Sequence, residues 1–298
     1  MTSGDMQPMK ILITGNSGFL GSRTARFLAS DSQIILTPTH AELDITSLES
    51  CRRWFDANVP DAIVHLAAIS DIGESERNQE LSWLVNVCGP INLACCAKQF
   101  DLSGRFLFAS SDQVYTGGVP DEILNTETDA LDPKNLYGKE KAVAEESVLS
   151  ILPEAIALRF AWMFDLQPGK SNFMKNIIRS VLTHQPAEYA MNEYRGISYS
   201  YEVAENIRKL LYSDVPGGAY NFGSPAVGNF YNTASQVYEL VGAFMNQPIA
   251  GLAVPTLRPE SRSLAMSQEK LRAVGIRFRD SVQACRYCLE REHEFAAQ

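Results

Sequence analysis

Two side chains of this 298-residue chain stand at a spacing that could do acid–base chemistry. Tyr137 and Lys141 lie four apart in Tyr137-Gly138-Lys139-Glu140-Lys141, which opens the run Lys141-Ala142-Val143-Ala144-Glu145-Glu146. Pro133 upstream and helix formers downstream predict a helix, so both project from one face. A phenol ordinarily ionises near pH ~10, and a neighbouring ammonium favours the phenolate, which predicts a tyrosine usable as acid or base near neutrality. Alone, such a pair is most simply an exposed helix. The elements around it reverse that reading.

Lys10-Ile11-Leu12-Ile13-Thr14 is a short apolar run, followed by Gly15-Asn16-Ser17-Gly18-Phe19-Leu20-Gly21 and then Arg23 to Leu28, apolar at helical spacing. Strand, glycine turn and helix together are the setting in which backbone N–H groups hold a pyrophosphate, although the spacing is GxxGxxG and not GxGxxG. Gln33 to Thr37 reads as a second strand, and Ser47 to Phe55 as a helix. A carboxylate at the end of that strand would bind the ribose hydroxyl of NAD and repel the extra phosphate of NADP. Thr37-Pro38-Thr39-His40 offers no acid, and Arg23 could approach a phosphate. The balance tilts slightly to NADP, with Glu42 or Asp44 still able to serve NAD.

Asp61 to Ala68 reads as a buried strand ending in Ala67 and Ala68, small enough to let a flat cofactor approach the backbone, and His65 reads as a core histidine. The helix from Trp83 to Cys96 is apolar nearly all round and is therefore expected to be buried, which obliges Asn86 to find partners. Arg105 to Ala109, the fifth strand-like run, delivers Ser110, Ser111 and Asp112 at its carboxyl end, the edge at which open parallel sheets bind ligands. With the Tyr137 helix following, Ser111 is expected to donate to a substrate oxygen.

Composition sets the bounds. With 45% hydrophobic and 20% charged residues, the chain is expected to be soluble and long enough for one large core or two smaller ones. No stretch approaches the ~20 apolar residues of a membrane span. Residues 1–8 read as a disordered start and not a signal peptide, so the cytoplasm is expected. A net charge of -9 excludes the basic stripe of a nucleic-acid binder. Six cysteines without a second CxxC, and four histidines without ligand spacing, indicate reduced thiols and no catalytic metal.

Further along, Ile156 to Phe160 is strand-like with Arg159 near its end, and Trp162 is placed to wall a substrate cleft. Asn172 to His184, Ser200 to Tyr212 and Ala234 to Met245 have helical patterns, and Tyr220 to Gly223 is a short strand and turn. Pro255 to Ser263 reads as an extended loop whose Arg258 is suited to bidentate binding of a diphosphate. Ser281 to Phe295 is amphipathic and docks or pairs two copies, so a homodimer is an expected assembly.

The combination Thr14-Gly15-x-x-Gly18-x-x-Gly21, Leu66-Ala67-Ala68, Asn86, Ser110-Ser111-x-x-Val114-Tyr115 and Tyr137-x-x-x-Lys141 resembles the extended short-chain dehydrogenase/reductase family. Within it the chain is similar to the dTDP-4-dehydrorhamnose reductases, through Leu43-Asp44-Ile45-Thr46, Ser110-Ser111-Asp112, Leu158-Arg159 with Trp162, Asn172-Phe173, and Pro255-Thr256 with Arg258-Pro259 and Leu264. Two departures stand out. Glu74 falls about where those reductases carry a lysine, and Arg262 falls where they carry a small residue.

The resemblance implies an α/β protein: a Rossmann-type doubly wound parallel sheet over 9–165 with 197–223, and a smaller substrate domain over 166–196 with 224–298. It implies Ser111, Tyr137, Lys141 and Asn86 as the catalytic set. Gly15, Ser17, Gly18, Phe19, Leu20, Gly21, Arg23, Asp44, Ile45, Leu66, Ala67, Ala68 and Ser110 would bind NADP or NAD together with Tyr137 and Lys141. Ser111, Asp112, Trp162, Asn172 and Arg258 would meet a nucleotide sugar. The implied activity is reduction of a nucleotide-activated 4-keto sugar. Gln113, where the family's dehydratases carry glutamate, argues against dehydration, because an amide cannot take up the proton. The alternatives are a non-catalytic nucleotide-binding subunit, such as the regulatory subunit of methionine adenosyltransferase that resembles the same family, or a sugar-nucleotide epimerase.

Overall fold

The computed structural model describes residues 8–29, 33–102, 104–115, 117, 124–169 and 171–296, with the backbone alone for 293–296. The expected disordered start, as far as residue 7, lies outside them. The chain begins β1 (Lys10–Thr14), α1 (Phe19–Ala29), β2 (Ile34–Leu36), α2 (Leu48–Asn58) and β3 (Ala62–His65). Next come α3 (Ile72–Arg77), α4 (Gln79–Trp83), a π-helical turn (Leu84–Cys88), α5 (Gly89–Gln99), β4 (Phe106–Ser111), a 3-10 turn (Asp112–Val114) and α6 (Leu136–Ile151). There follow β5 (Ile156–Phe160), β6 (Trp162–Phe164), α7 (Phe173–Thr183), β7 (Ala187–Ala190), β8 (Glu193–Tyr194), β9 (Ile197–Tyr199) and α8 (Ser200–Leu211). The chain closes with β10 (Gly218–Phe222), α9 (Phe230–Met245), β11 (Ala253–Thr256), β12 (Arg262–Ser263), α10 (Glu269–Ala273) and α11 (Ser281–Ala296).

Six strands form one sheet in the order β2-β1-β3-β4-β5-β10, and β1 pairs parallel with both β2 and β3. The chain therefore leaves β1 to one side and returns on the other, and the order reverses between β1 and β3. That reversal opens a crevice at the carboxyl ends of the strands. The expected parallel α/β sheet is present. The strand carrying Phe106 is the fourth, not the fifth, because only β1, β2 and β3 precede it; the apolar run from Trp83 is helical.

Contacts divide the chain into two units. The first holds the chain up to Val114 with Asp132–Arg159 and Ala204–Tyr220; the second holds Tyr115–Leu131, Phe160–Val203 and the chain from Asn221. In the first, Leu12, Ile63, Phe106 and Phe108 of the sheet pack with Phe55, Leu93 and Val148 of the helices. In the second, Phe164, Phe173, Ile177, Tyr189, Phe230, Val237 and Tyr238 form a separate core. The division differs from 9–165 with 197–223 because of pairings distant in sequence. Asn125 donates to the carbonyls of Ser263 and Ala265 at 3.1 and 2.8 Å, and β6 pairs with β9 from Trp162↔Ile197 onward.

Two further expectations are corrected. The segment from Trp83 to Cys96 is not buried all round: Trp83 and Leu84 are 44% and 37% exposed, as is Leu81 at 51%, while Asn86, Val87, Leu93, Ala94 and Cys96 are buried. One face of the helix packs on the sheet and the other faces out. Pro255 lies in β11, paired parallel with β7, and not in a loop. All six cysteines are free thiols. Among the described residues no helix is long and apolar enough to cross a membrane.

A buried ion pair ties α6 to β5. Arg159 Nη2 donates to Glu145 Oε1 at 2.5 Å, both side chains being about 4–5% exposed, and Ser110 Oγ donates to Glu145 Oε2 at 2.8 Å. Removing one member of a buried pair strands the other charge, at about 3–5 kcal/mol. Arg159→Met is therefore expected to lower stability by about that amount in urea unfolding, and Ser110 alone will not compensate. An unchanged midpoint would refute the pair's structural role.

Candidate active site

The turn after β1 is shaped by what it excludes. Gly15 has φ +70°, and a Cβ there would lie 2.6 Å from the Ala67 nitrogen; a Cβ on Gly21 would lie 2.0 Å from the Gly15 carbonyl oxygen. Gly18 N donates to Gly15 O at 2.9 Å, closing the turn into α1. Thr14 fastens this turn to the end of β3: its Oγ1 lies 2.6 Å from His65 Nδ1 and accepts from Ala67 N at 3.3 Å. The carboxyl ends of β1 and β3 thus present bare backbone side by side. Ser17, Gly18 and Phe19 are exposed there, Leu20 is buried, and Arg23 and the small residues Ala67 and Ala68 are half-buried.

His65 is a core residue, as its sequence setting indicated. It is fully buried and stacks on Phe108 at 5.9 Å, and burial first, then the nearby Lys141, push its pKa down to about 3. The imidazole stays neutral.

The helix carrying Tyr137 is seated by hydrogen bonds. Asn135 caps α6, accepting from Gly138 N at 2.8 Å while its amide donates to Gln113 Oε1 at 3.0 Å. Gln113 in turn donates to Asp112 Oδ1 at 3.0 Å. A Cβ on Gly138 would stand 2.2 Å from the Gln113 carbonyl oxygen, so only glycine allows α6 this close to the 3-10 turn. The approach brings Tyr137 beside Ser111, near enough for the serine to act on the phenol's pKa. Lys141 Nζ lies 5.8 Å from the Tyr137 ring centre and 4.9 Å from that of Phe108.

Ser111, Tyr137 and Lys141 are therefore gathered within the first unit. The expected lowering of the phenol is not what the structure gives. Burial raises the Tyr137 pKa well above its ordinary value, Asp112 and Glu140 add to the rise, and Ser111 opposes it. Tyr137 is a protonated donor at neutral pH. Lys141 is 1% exposed and its pKa is lowered to about 7, by burial against the opposing Glu140. Its Nζ has no hydrogen-bond partner among the described residues.

Asn86 has the partners it needed. Its Oδ1 accepts from Ile69 N at 2.9 Å, and its amide donates to Ile69 O at 3.0 Å and to Glu140 Oε2 at 2.8 Å. The π-helical turn holding Asn86 directs it at the loop after β3. Glu140 escaped the sequence reading. Its signal was position: three residues after Tyr137, it shares that face of the helix.

The remaining candidates are also placed. Ser110 Oγ donates to Glu145 Oε2, so its hydroxyl is engaged within the fold. Asp44 Oδ1 accepts from Thr46 N and Oγ1 at 3.0 and 2.6 Å, which holds its carboxyl below the usual range, and Ile45 is buried beside Gly89. Leu66 is half-buried, its nitrogen bonded to Thr14 O. In the second unit, Trp162 is 39% exposed, packs near Phe173 and Phe230, and carries Arg195 at 5.0 Å over its ring. Asn172, expected against substrate, has its amide engaged as the cap of α7 and as donor to Asp165 O at 2.7 Å. Arg258 Nε lies 3.6 Å from Glu193, with its side chain 63% exposed. Among the described residues no cluster of three metal-ligating side chains occurs.

A family model described as the RmlD substrate binding domain matches residues 9–293. The chain belongs to this family. Among RmlD-family relatives, it is 26% identical over 272 residues to dTDP-4-dehydrorhamnose reductase of Mycobacterium tuberculosis, covering 90% of this chain and 88% of the relative. It is 26% identical over 284 residues to the spore coat polysaccharide biosynthesis protein SpsK of Bacillus subtilis, covering 94% and 97%. The crystal structure of dTDP-4-dehydrorhamnose reductase from Bacillus anthracis in complex with NADP superposes with a TM-score of 0.85 at 19% identity, over 97% of this chain and all of that one.

The depressed His65 pKa gives this RmlD-family chain a pH signature. In the unfolded chain the imidazole takes a proton below about 6.5, whereas in the folded chain it refuses one until about 3. Folding then binds fewer protons, so stability falls as pH drops through that window. At pH ~5 the loss amounts to about 2 kcal/mol. Replacing His65→Asn should flatten the fall between neutral pH and pH ~5 in urea unfolding, and an unaltered slope would show that His65 titrates freely.

Proposed function

We propose that the chain is an NAD(P)-dependent reductase of a nucleotide-activated 4-keto sugar, acting in the manner of a dTDP-4-dehydrorhamnose reductase. The observation that carries this reading is the gathering of Ser111 and Tyr137 with the buried Lys141, whose Nζ lies 5.8 Å from the Tyr137 ring centre and has no hydrogen-bond partner among the described residues. Relatives named as dTDP-sugar reductases, matched over most of their length, support the reductase over the epimerase and the regulatory subunit.

The residues fit a dinucleotide. Gly15, Gly18 and Gly21 leave backbone open at the start of α1, where N–H groups and the helix end favour phosphate. Ser17, Phe19 and Leu20 complete that turn, with Leu66, Ala67, Ala68 and Ser110 along the strand ends and Asp44 with Ile45 at the adenine. Lys141 Nζ is a buried donor still lacking an acceptor among the described residues. NADP is favoured over NAD. Glu42 is turned onto Thr39, accepting from its N and Oγ1 at 2.7 and 2.8 Å, and Asp44 onto Thr46, so the nearby carboxylates are committed to local bonds. Arg23, half-buried on α1, is the cation we assign to the extra phosphate.

When bound, the nicotinamide supplies the hydride. Ser111 hydrogen-bonds the keto oxygen, and Tyr137, kept protonated by burial, gives that oxygen its proton as charge develops there. Lys141 would donate its N–H groups to the dinucleotide, and Asn86 holds the loop at Ile69. In the second unit we assign Trp162 and Arg258 to the substrate, the guanidinium to its diphosphate, and in the first unit Asp112, whereas the Asn172 amide is engaged in capping α7 and bonding Asp165. We place the enzyme in the cytoplasm, with a homodimer favoured by the exposed Leu81, Trp83 and Leu84.

Oxidation of NADPH on addition of a dTDP-4-keto-6-deoxy sugar, followed by nicotinamide absorbance, is the expected result. Tyr137→Phe should lower turnover by about 10²–10⁴-fold while leaving NADPH binding unchanged. Wild-type turnover in that variant would remove Tyr137 from the chemistry. Cofactor binding with no turnover on any 4-keto sugar would reject the reductase.

A further inference from the structure

We propose that Glu140 is a positioning residue, a single buried carboxylate that both fixes Asn86 against the loop after β3 and holds Lys141 in its ammonium form. Its catalytic consequence rests on the reductase reading; the state of Lys141 does not.

The geometry begins with one oxygen. Glu140 is 0% exposed, and its Oε2 accepts from Ser82 Oγ at 2.7 Å and from Asn86 Nδ2 at 2.8 Å. Asn86 grips Ile69 through both its N–H and its carbonyl. Ser75 stands 3.0 Å from Ser82 and donates to Ile69 O at 3.3 Å. Thus α3, α4, the π-helical turn and the backbone just beyond Ala67 and Ala68 converge on a side chain of the Tyr137 helix. Two donors aimed at one oxygen are what an ionised carboxylate attracts. Were the acid neutral with its proton on Oε1, that O–H would need an acceptor, and Oε1 has no hydrogen-bond partner among the described residues.

The other half is charge. Glu140 adjoins Lys141, and each carries a buried polar atom without a hydrogen-bond partner among the described residues. The other groups around the lysine do little to hold its charge. His65 on β3 is neutral, Phe108 on β4 offers a ring face, and Tyr137 on the same helix is protonated. Asp112 on the 3-10 turn acts on Tyr137, Glu145 is paired with Arg159, and Glu76 on α3 accepts from Leu136 N. On α4 and the π-helical turn, the buried side chains facing Glu140 are the uncharged Ser82 and Asn86, and Glu80 is exposed. Arg77 on α3 carries a positive charge, which cannot favour an ammonium. Burial drives Lys141 towards the neutral amine, and Glu140 is the charge that opposes it.

Glu140→Gln keeps an oxygen for Ser82 and Asn86 and removes the charge. The readout is the lysine ε-carbon NMR titration of the protein without cofactor, with the Lys141 resonance identified by its loss in Lys141→Met. Lys141 should titrate about one pH unit or more lower in Glu140→Gln than in the wild type, a change of about tenfold in its ammonium-to-amine ratio. The alkaline limb of NADPH binding should move to lower pH with it. An unmoved Lys141 titration in folded Glu140→Gln overturns the proposal. If that variant does not fold, Glu140→Asp is read in the same way, since it keeps the charge but withdraws it by one methylene; a lower midpoint supports the proposal and an unchanged one overturns it. Failure of the reductase reading would appear separately, as absent turnover with the Lys141 shift intact.

Discussion

Burying an ammonium is the constraint around which this structure is arranged. Lys141 sits 1% exposed at the end of the sheet, and an ion taken out of water is tolerated only with compensation. The compensation comes from several elements: the Phe108 ring on β4, the Glu140 charge on α6 and a neutral His65 on β3 that adds no repulsion. Each needs the others. If His65 were charged, it would oppose Lys141 directly; Thr14 fixes the ring through its Nδ1, and the same hydroxyl joins the ends of β1 and β3. The glycine turn and the acid–base helix are thereby parts of one buried arrangement.

The same burial sets the acid strength of Tyr137. In water, an adjacent lysine would lower a phenol's pKa, and a short helical motif invites that inference. Inside the protein, desolvation acts on the charged form of each group, disfavouring both phenolate and ammonium, and Asp112 adds to the effect on the phenol. The phenol therefore keeps its proton at neutral pH, and burial makes it a weaker acid than a phenol in water. The ammonium's contribution then lies in its unused donors and its field, not in a phenolate formed beforehand.

What could be read from the sequence was local and periodic. Strand β1, the glycine turn, α1, and the Tyr137–Lys141 helix follow from apolar spacing and backbone rules, and β5 has the boundaries its apolar run indicated. What escaped depends on partners far away in the chain. Tyr115–Leu131 has no strong period of its own, and Asn125 belongs to the second unit through carbonyls about 140 residues later. Trp83 and Leu84 read as core because a helix rich in apolar residues does not announce which turn faces outward. Glu140 looked like an ordinary helix acid, and only the approach of Ser82 and Asn86, more than 50 residues earlier, shows why it is buried.

Those distant partners also explain why the motif residues alone do not make a site. Tyr137 meets Ser111 because α6 lies against the 3-10 turn, and it lies there because Gly138 has no side chain and because Asn135 and Gln113 join the two. Gln113 has a second consequence. As an amide it can donate to Asp112 and accept from Asn135 at once, whereas an ionised glutamate could only accept and would place a second anion against Asp112. One amide therefore completes the hydrogen-bond chain that seats the Tyr137 helix on the 3-10 turn.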